Sequence, residues 1–368
     1  MAEVVLKNVC KFFGDVQACR DISMTCNDGE FLSILGPSGC GKSTTMRMIA
    51  GLETISSGEI YVGGRLVNDL SPKQRNIAMV FENYALYPHM TVFENIAFPL
   101  SMSKMKHSQI REKVNQAISM LRLQEVANSY PATISDGQKQ RVGIGRAIVR
   151  EPDLFLFDEP ISHLDIMLRQ DMRREIVRLQ RELDTTMIYV THDQLEALTM
   201  GDRIAVMNDS YLQQLGTRKE ILENPSNTFV AGFVGEPPIN LISAELAEEG
   251  GSKVLRFDQL SFTLPIEENR SKDAFVRSTS KEVTIGIRPQ YTEVYQEAVD
   301  NSFAAAVHFV EFLDEFNVLS VVFGDTKLML ETDKSFSTEA GENIWIKFPE
   351  SKMLFFNREN GTNILKSA

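Results

Sequence analysis

The 368-residue sequence predicts an α/β fold followed by an all-β one, and three patterns lead to that reading. Short apolar runs at Phe31–Leu35, Ile77–Phe81, Leu154–Asp158, 187–191 and 203–207 alternate with helical patterns, which builds a mostly parallel sheet covered by helices. A glycine-rich turn, residues 36–43, joins the first of these runs to a helical stretch at 44–50. From about residue 240 the helical periods fade, and β-rich runs at 283–287, 318–323 and 344–348 take over.

Within the α/β part, Ile110, Val114, Ala117, Ile118 and Leu121 recur at helical spacing between 108 and 122, with Ser108 placed as a cap. That segment reads as part of a helical subdomain inserted at about residues 85–150. Leu168, Met172, Ile176, Leu179 and Leu183 mark a second amphipathic helix. Gly235-Glu236-Pro237-Pro238 punctuates the chain, so the expected domains are 1–235 and 236–368. No internal repeat or low-complexity tract interrupts either.

Composition narrows the class. A hydrophobic fraction of 43% and a charged fraction of 24% describe a folded globular chain. A net charge of −12 argues against a nucleic-acid binder, which would carry a basic face, but leaves room for a nucleotide held by a local loop. The sequence contains no run of about 18 apolar residues. Met1 leads into Val4-Val5-Leu6 rather than a basic region and apolar stretch, so the expectation is a chain that stays in the cytoplasm. Cys10, Cys19, Cys26 and Cys40 form no CxxC pair and read as reduced thiols.

The glycine-rich turn, Gly36-Pro37-Ser38-Gly39-Cys40-Gly41-Lys42-Ser43, fits the phosphate-loop pattern in its required context between strand and helix. Its glycines let backbone N–H groups converge on phosphate, so Gly36, Ser38, Gly39, Cys40, Gly41, Lys42, Ser43 and Thr44 are expected to bind ATP. Lys42 would reach the β- and γ-phosphates, and Ser43 would ligate Mg²⁺. Leu154–Asp158 is a buried-strand run that ends, with Glu159, in two carboxylates. Alone, such a strand end is often only a helix cap. Beside a phosphate loop, Asp158 is expected to hold Mg²⁺ and Glu159 to polarise the attacking water.

Between these motifs stands Ile134-Ser135-Asp136-Gly137-Gln138, followed by Lys139-Gln140-Arg141 and Gly145-Arg146-Ala147, which resembles the signature and its helix in ABC ATPases. Ser162-His163-Leu164-Asp165 is similar to the family's D-loop, and His192 in Tyr189-Val190-Thr191-His192-Asp193 to its switch histidine. The resemblance implies an ABC-type P-loop ATPase core with an inserted helical subdomain. Ser135, Gly137 and Gln138 would then meet ATP bound to the other subunit, His192 the γ-phosphate of its own, and Phe13 would stack on adenine. Residues 82–90, 229–235 and 286–289 resemble carbohydrate importers of the maltose and glycerol-phosphate type, whose C-terminal domain is OB-like. The implied partners are a second ABC ATPase chain, identical or not, and two membrane-spanning permease subunits whose coupling helix enters a groove at 82–90. A solute-binding protein acts indirectly, and the chain would lie peripherally at the cytoplasmic face of the inner membrane.

Two departures from the family pattern carry charge: Glu82 replaces the Q-loop glutamine and Asp136 the first signature glycine. Glu82 is a competent hard-oxygen ligand for Mg²⁺, whereas Asp136 would oppose phosphate unless its side chain turns to solvent. The expectation is slow basal hydrolysis with a high Mg²⁺ requirement. Ile134 and His163 are milder departures. An importer of polyamine, iron or sulfate, a weakly hydrolysing partner in a heterodimer, and a soluble ABC protein acting on ribosomes or DNA remain the rival readings. The last is disfavoured by acidic charge, a single cassette and the lack of a coiled-coil or zinc insertion.

Overall fold

The computed structural model describes residues 2–81, 84–102, 105–257, 262–278, 280–323 and 326–366. The chain divides into two compact units, residues 1–218 and 219–368.

The first unit is built on two sheets. β1 (Val4–Phe13) and β2 (Val16–Cys26) form an antiparallel hairpin. β3 (Phe31–Leu35), buried at every position, runs into the glycine-rich turn and α1 (Lys42–Ala50). β4 (Ser57–Val62) and β5 (Arg65–Leu66) complete a four-stranded sheet of order β2-β1-β4-β5. After β6 (Ile77–Phe81) come α2 (Val92–Ser101), α3 (His107–Met120) and α4 (Asp136–Ile148). They are followed by β7 (Leu154–Asp158), α5 (Ile166–Leu183), β8 (Thr186–Thr191), α6 (Gln194–Met200), β9 (Arg203–Asn208) and β10 (Tyr211–Gly216). The second sheet has the order β10-β9-β3-β8-β7-β6, parallel except at β10. Its central strands β3 and β8 are buried at every position and mostly apolar, because both faces are covered.

The α3 boundary differs from the sequence expectation. The helix starts at His107 with Lys106 as its N-cap, whose backbone N–H donates to Gln109 Oε1 at 3.3 Å, so Ser108 lies in the first turn and does not cap. Its apolar face is as expected: Ile110, Val114, Ala117 and Ile118 are buried, in one core with Ile96, Val142 and Phe157. α5 buries Met172, Ile176 and Leu179, with Asp165 as its N-cap accepting from the Leu168 N–H at 2.9 Å.

The second unit begins with two short helices, α7 (Arg218–Glu223) and α8 (Thr228–Phe233). β11 (Asn240–Glu249), β12 (Ser252–Phe257), β13 (Phe262–Pro265), α9 (Asn269–Arg277), β14 (Glu282–Ile287) and β15 (Glu293–Tyr295) follow. The chain ends with β16 (Ser302–Phe312), β17 (Asn317–Phe323), β18 (Thr326–Thr332), β19 (Asn343–Lys347) and β20 (Leu354–Asn357). Two antiparallel sheets, β13-β12-β11-β14-β20 and β15-β19-β16-β17-β18, share a core of residues such as Leu255, Ile285, Phe303, Leu319 and Phe355. The unit is β-rich but not the all-β unit expected: α9 lies among its strands, and α7 and α8 precede them. Arg288 donates to the carbonyls of Leu222 and Val234, both at 2.9 Å, and so satisfies the C-terminal ends of α7 and α8.

No helix among the described residues is long and apolar enough to cross a membrane. All four cysteines are free thiols.

Arg75 does for α1 what Arg288 does for α7 and α8. Only 5% exposed, it donates to the carbonyls of Met48 at 2.7 Å, Ile49 at 2.8 Å, Leu70 at 2.9 Å and Asn68 at 3.2 Å. Replacing it leaves several buried acceptors without donors, each at a desolvation cost. Arg75→Met is therefore expected to lower the unfolding free energy by about 3 kcal/mol in urea titration. Because α1 carries the glycine-rich turn, nucleotide affinity should weaken as well. A midpoint equal to the parent's would show that these carbonyls find other donors.

Candidate functional site

The parallel register gathers the motifs at one edge of the sheet. Leu35 pairs with Thr191, Asp158 with Val190 and Phe81 with Asp158, so β3, β6, β7 and β8 end in step. The residues that follow them, Gly36, Glu159 and His192 among the described ones, emerge together at the strands' carboxyl ends, where open α/β sheets form their crevices. Glu82, which follows β6, lies outside the described residues, as does Asn83.

The glycine-rich turn is shaped by close packing. A Cβ at Gly36 would stand 2.3 Å from the Met207 carbonyl oxygen; one at Gly41, where φ is +103°, would stand 2.5 Å from that of Ala18. Only glycine fits either position. Gly41 is the N-cap of α1 and supplies no side-chain cap, and the first turn contains no acidic residue, so its N–H groups and dipole are left for an anion. Lys42 is 4% exposed, and its ammonium donates to the carbonyls of Gly36 and Pro37, both at 2.9 Å. Those bonds hold a cation at the centre of the turn. Ser38 and Gly39 are exposed, Thr44 is half-buried, and Cys40 is buried, its thiol pushed up by burial.

Across from α1, the Ser43 hydroxyl donates to Asp158 Oδ1 at 3.0 Å. Two hard oxygens that close suit Mg²⁺, which takes one or two protein ligands and fills its octahedron with phosphate and water. No group of three His, Cys, Asp or Glu able to hold a metal occurs among the described residues. Glu159 has a φ of +46°, its N–H donates to the Val190 carbonyl at 3.0 Å, and its Oε2 lies 2.8 Å from His192 Nδ1. A buried relay that the sequence reading missed supports the switch turn. Glu196, 3% exposed, accepts from the Tyr189 hydroxyl at 2.9 Å and from Thr191 Oγ1 at 2.7 Å, and Thr191 Oγ1 accepts from the Asp193 N–H at 2.9 Å. Burial pushes the Glu196 carboxyl up. The Asp193-x-x-Glu196 spacing, a helix-start pattern, was the available signal.

Ser135 is the N-cap of α4: its Oγ accepts from the Gln138 N–H at 3.3 Å, and its N–H donates to Gln138 Oε1 at 2.9 Å. The hydroxyl proton of Ser135 is not used in this box. A Cβ at Gly137 would stand 2.7 Å from the Leu168 side chain, which seats the signature turn against α5. Asp136 does not point into the loop of donors. Its side chain is 61% exposed and its Oδ1 lies 2.9 Å from Lys139 Nζ, in a first turn where the helix dipole favours negative charge. The repulsion expected from sequence concerns the closed dimer; in the single chain the carboxylate is exposed and paired with Lys139. Phe13 ends β1 with 48% of its surface exposed, and Lys11 Nζ sits 4.7 Å from its ring centroid, leaving the ring's other face open.

Behind this edge lies a groove of about 860 Å³, walled by β6, residues 84–87, the end of α2 and α4. Phe81, Phe98, Pro99 and Met102 make it apolar, and Arg146 and Arg150 supply positive charge.

The comparisons with known proteins agree with this geometry. Residues 19–162 match the family model described as ABC transporter, and residues 235–291 match the MalK OB fold domain. The chain is 44% identical over 375 residues to the trehalose/maltose import ATP-binding protein MalK of Thermococcus litoralis, covering 99% of this chain and all of that one. It is 41% identical over 372 residues to the oligosaccharides import ATP-binding protein MsmX of Bacillus subtilis, with 99% and 100% covered. The osmoprotective compounds uptake ATP-binding protein GgtA of Synechocystis is 41% identical, again over 99% and 100%. Among solved structures, the dimeric MJ0796, a bacterial ABC transporter cassette, superimposes with a TM-score of 0.53 at 32% identity, covering 58% of this chain and 98% of that one. The same cassette in a post-hydrolysis state bound to ADP and Pi gives a TM-score of 0.52, also at 32% identity and over the same shares of the two chains. This chain belongs to the ABC transporter family, as an ATP-hydrolysing import subunit whose cassette is followed in sequence by a MalK-type OB domain.

Proposed function

We propose that the chain powers uptake of a sugar- or polyol-type solute, hydrolysing ATP as a dimer beneath two separate membrane-spanning subunits at the cytoplasmic face of the inner membrane. The apolar groove is the observation that carries this reading: a chain whose described helices do not cross a membrane exposes a cleft sized for a short helix beside its nucleotide edge. The solute class rests on full-length relatives named for trehalose/maltose, oligosaccharides and osmoprotective compounds.

In this reading Lys42 exchanges the Gly36 and Pro37 carbonyls for the β- and γ-phosphates, which then also accept from the first-turn N–H groups of α1. Phe13 stacks on adenine by its open face. Mg²⁺, held by Ser43, Asp158 and Glu82, would neutralise phosphate charge. Glu159 polarises the attacking water, and its bond to His192 Nδ1 places the imidazole for the γ-phosphate. Ser135, Gly137 and Gln138 of a second copy close the site, Ser135 through its unused hydroxyl proton. The groove receives the coupling segment of a membrane subunit.

Lys42→Ala should abolish ATP binding in calorimetry, because the phosphate charge loses its counter-ion. Glu159→Gln should bind ATP normally, lose at least about 100-fold in turnover, and run as a dimer in light scattering with ATP. A mass that ignores ATP would sink the sandwich model.

The outward Asp136 gives a second test. Asp136→Gly should change steady-state ATPase turnover by less than about twofold, since an exposed helical ion pair is worth about 0.3–0.5 kcal/mol. A severalfold acceleration would place that carboxylate near the phosphate in the closed dimer after all.

For the groove and the solute, a photo-crosslinker at Phe81 should capture a membrane subunit, and cells lacking the chain should lose uptake of a sugar or polyol. Loss of polyamine, iron or sulfate uptake instead would overturn the solute class. Crosslinks confined to soluble proteins would overturn the groove.

A further inference from the structure

Residues 84–87, one wall of the groove, are fastened on two sides. Tyr84 and Ala85 are consecutive non-glycine residues with φ of +49° and +46°, a conformation that needs outside support. On one side Arg146 of α4 donates to the Ala85 carbonyl and lies 4.8 Å from the Tyr87 ring centroid. On the other, the Tyr84 hydroxyl is 2.5 Å from His163 Nε2, and the two rings meet edge to face at 4.9 Å and 63°.

His163 belongs to a stiff loop. Arg169 takes the carbonyls on either side of it, Ser162 at 2.5 Å and Leu164 at 2.8 Å, and Ser162 Oγ donates to the Glu159 carbonyl at 3.0 Å. A continuous path therefore runs from the groove wall through Tyr84, His163 and Ser162 to Glu159. We infer that Tyr84 and His163 are a positioning pair that fixes the loop carrying Glu159 to the groove wall, so that an occupant of the groove sets the hydrolytic geometry.

Burial and the nearby Asp136 carboxylate push the Tyr84 hydroxyl up to about 12, so it stays protonated near neutrality and keeps a proton to offer His163 Nε2. Nε2 stands three bonds from Cβ, one further than the amide of an asparagine and equal to that of a glutamine. The pairing is thus a property of histidine at 163, not of the D-loop in general. The link from groove to loop rests on the proposed docking of a membrane subunit, whereas the pair's effect on Glu159 does not.

The test uses the full chain with ATP and no membrane partner, comparing Tyr84→Phe, His163→Ala, the double variant and His163→Gln. Each of the first two should lower kcat about fivefold, with KM for ATP and the thermal midpoint unchanged, and the double variant should be no slower than either single. His163→Gln should recover to within about twofold of the parent when Tyr84 is present and not when it is Phe. Multiplying effects, unchanged kcat, or losses that track a falling midpoint would each overturn the pair. The Phe81 crosslink fails independently: if it captures no membrane subunit while the cycle holds, the docking reading falls and the pair stands.

Discussion

The in-step ending of four parallel strands is the constraint on which everything else in the first unit depends. Because Leu35 is level with Thr191, and Asp158 with both Val190 and Phe81, residues from four distant stretches leave the sheet at one height. A one-residue slip in any pair would move a motif by about 3.3 Å and turn its side chains to the other face. β3 and β8 are buried at every position, so a slip would drive side chains into a core that is already packed on both faces.

Arginines secure the elements that the sheet does not reach. Arg75 and Arg288 each insert a guanidinium among helix-end carbonyls, and Arg169 spans the loop after Glu159 in the same way. The planar fork of donors suits this task, because several acceptors at fixed angles are met by one rigid group. Arg75 and Arg169 thereby turn a helix end and a loop that would otherwise expose unpaired carbonyls into fixed supports for the site, and Arg288 does the same for two helix ends within the second unit.

Much of this was legible in sequence because it rests on local patterns. The glycine-rich turn, the buried strand ending in Asp158 and the apolar faces of α3 and α5 all follow from residue type and spacing. What sequence did not show depends on which partner each side chain takes, near or distant in the chain. Asp136 reads as a charge beside phosphate until Lys139, three residues on, takes it outward. Tyr84 and His163 are 79 residues apart, and Glu196 reads as an ordinary helix acid until Tyr189 and Thr191 enclose it. The start of α3 was misplaced because Gln109 can reach back to Lys106, an alternative that a serine preference hides.

The resting partnerships bear on why ATP and a second chain act together. In the single chain most of the proposed site groups already have partners: Lys42 the Gly36 and Pro37 carbonyls, Ser43 Asp158, and Glu159 His192, while Ser135 is boxed with Gln138 but keeps its hydroxyl proton. Nucleotide binding therefore exchanges hydrogen bonds more than it adds them, and the net gain from any one exchange is small. Phosphate alone can replace the partners of Lys42 and Ser43, which lie on one chain. In the proposed sandwich the Ser135 turn would gain only from a phosphate presented by the second copy. Closure would then become favourable when both exchanges occur at once, which would tie dimerisation to the γ-phosphate and its reversal to the loss of that phosphate.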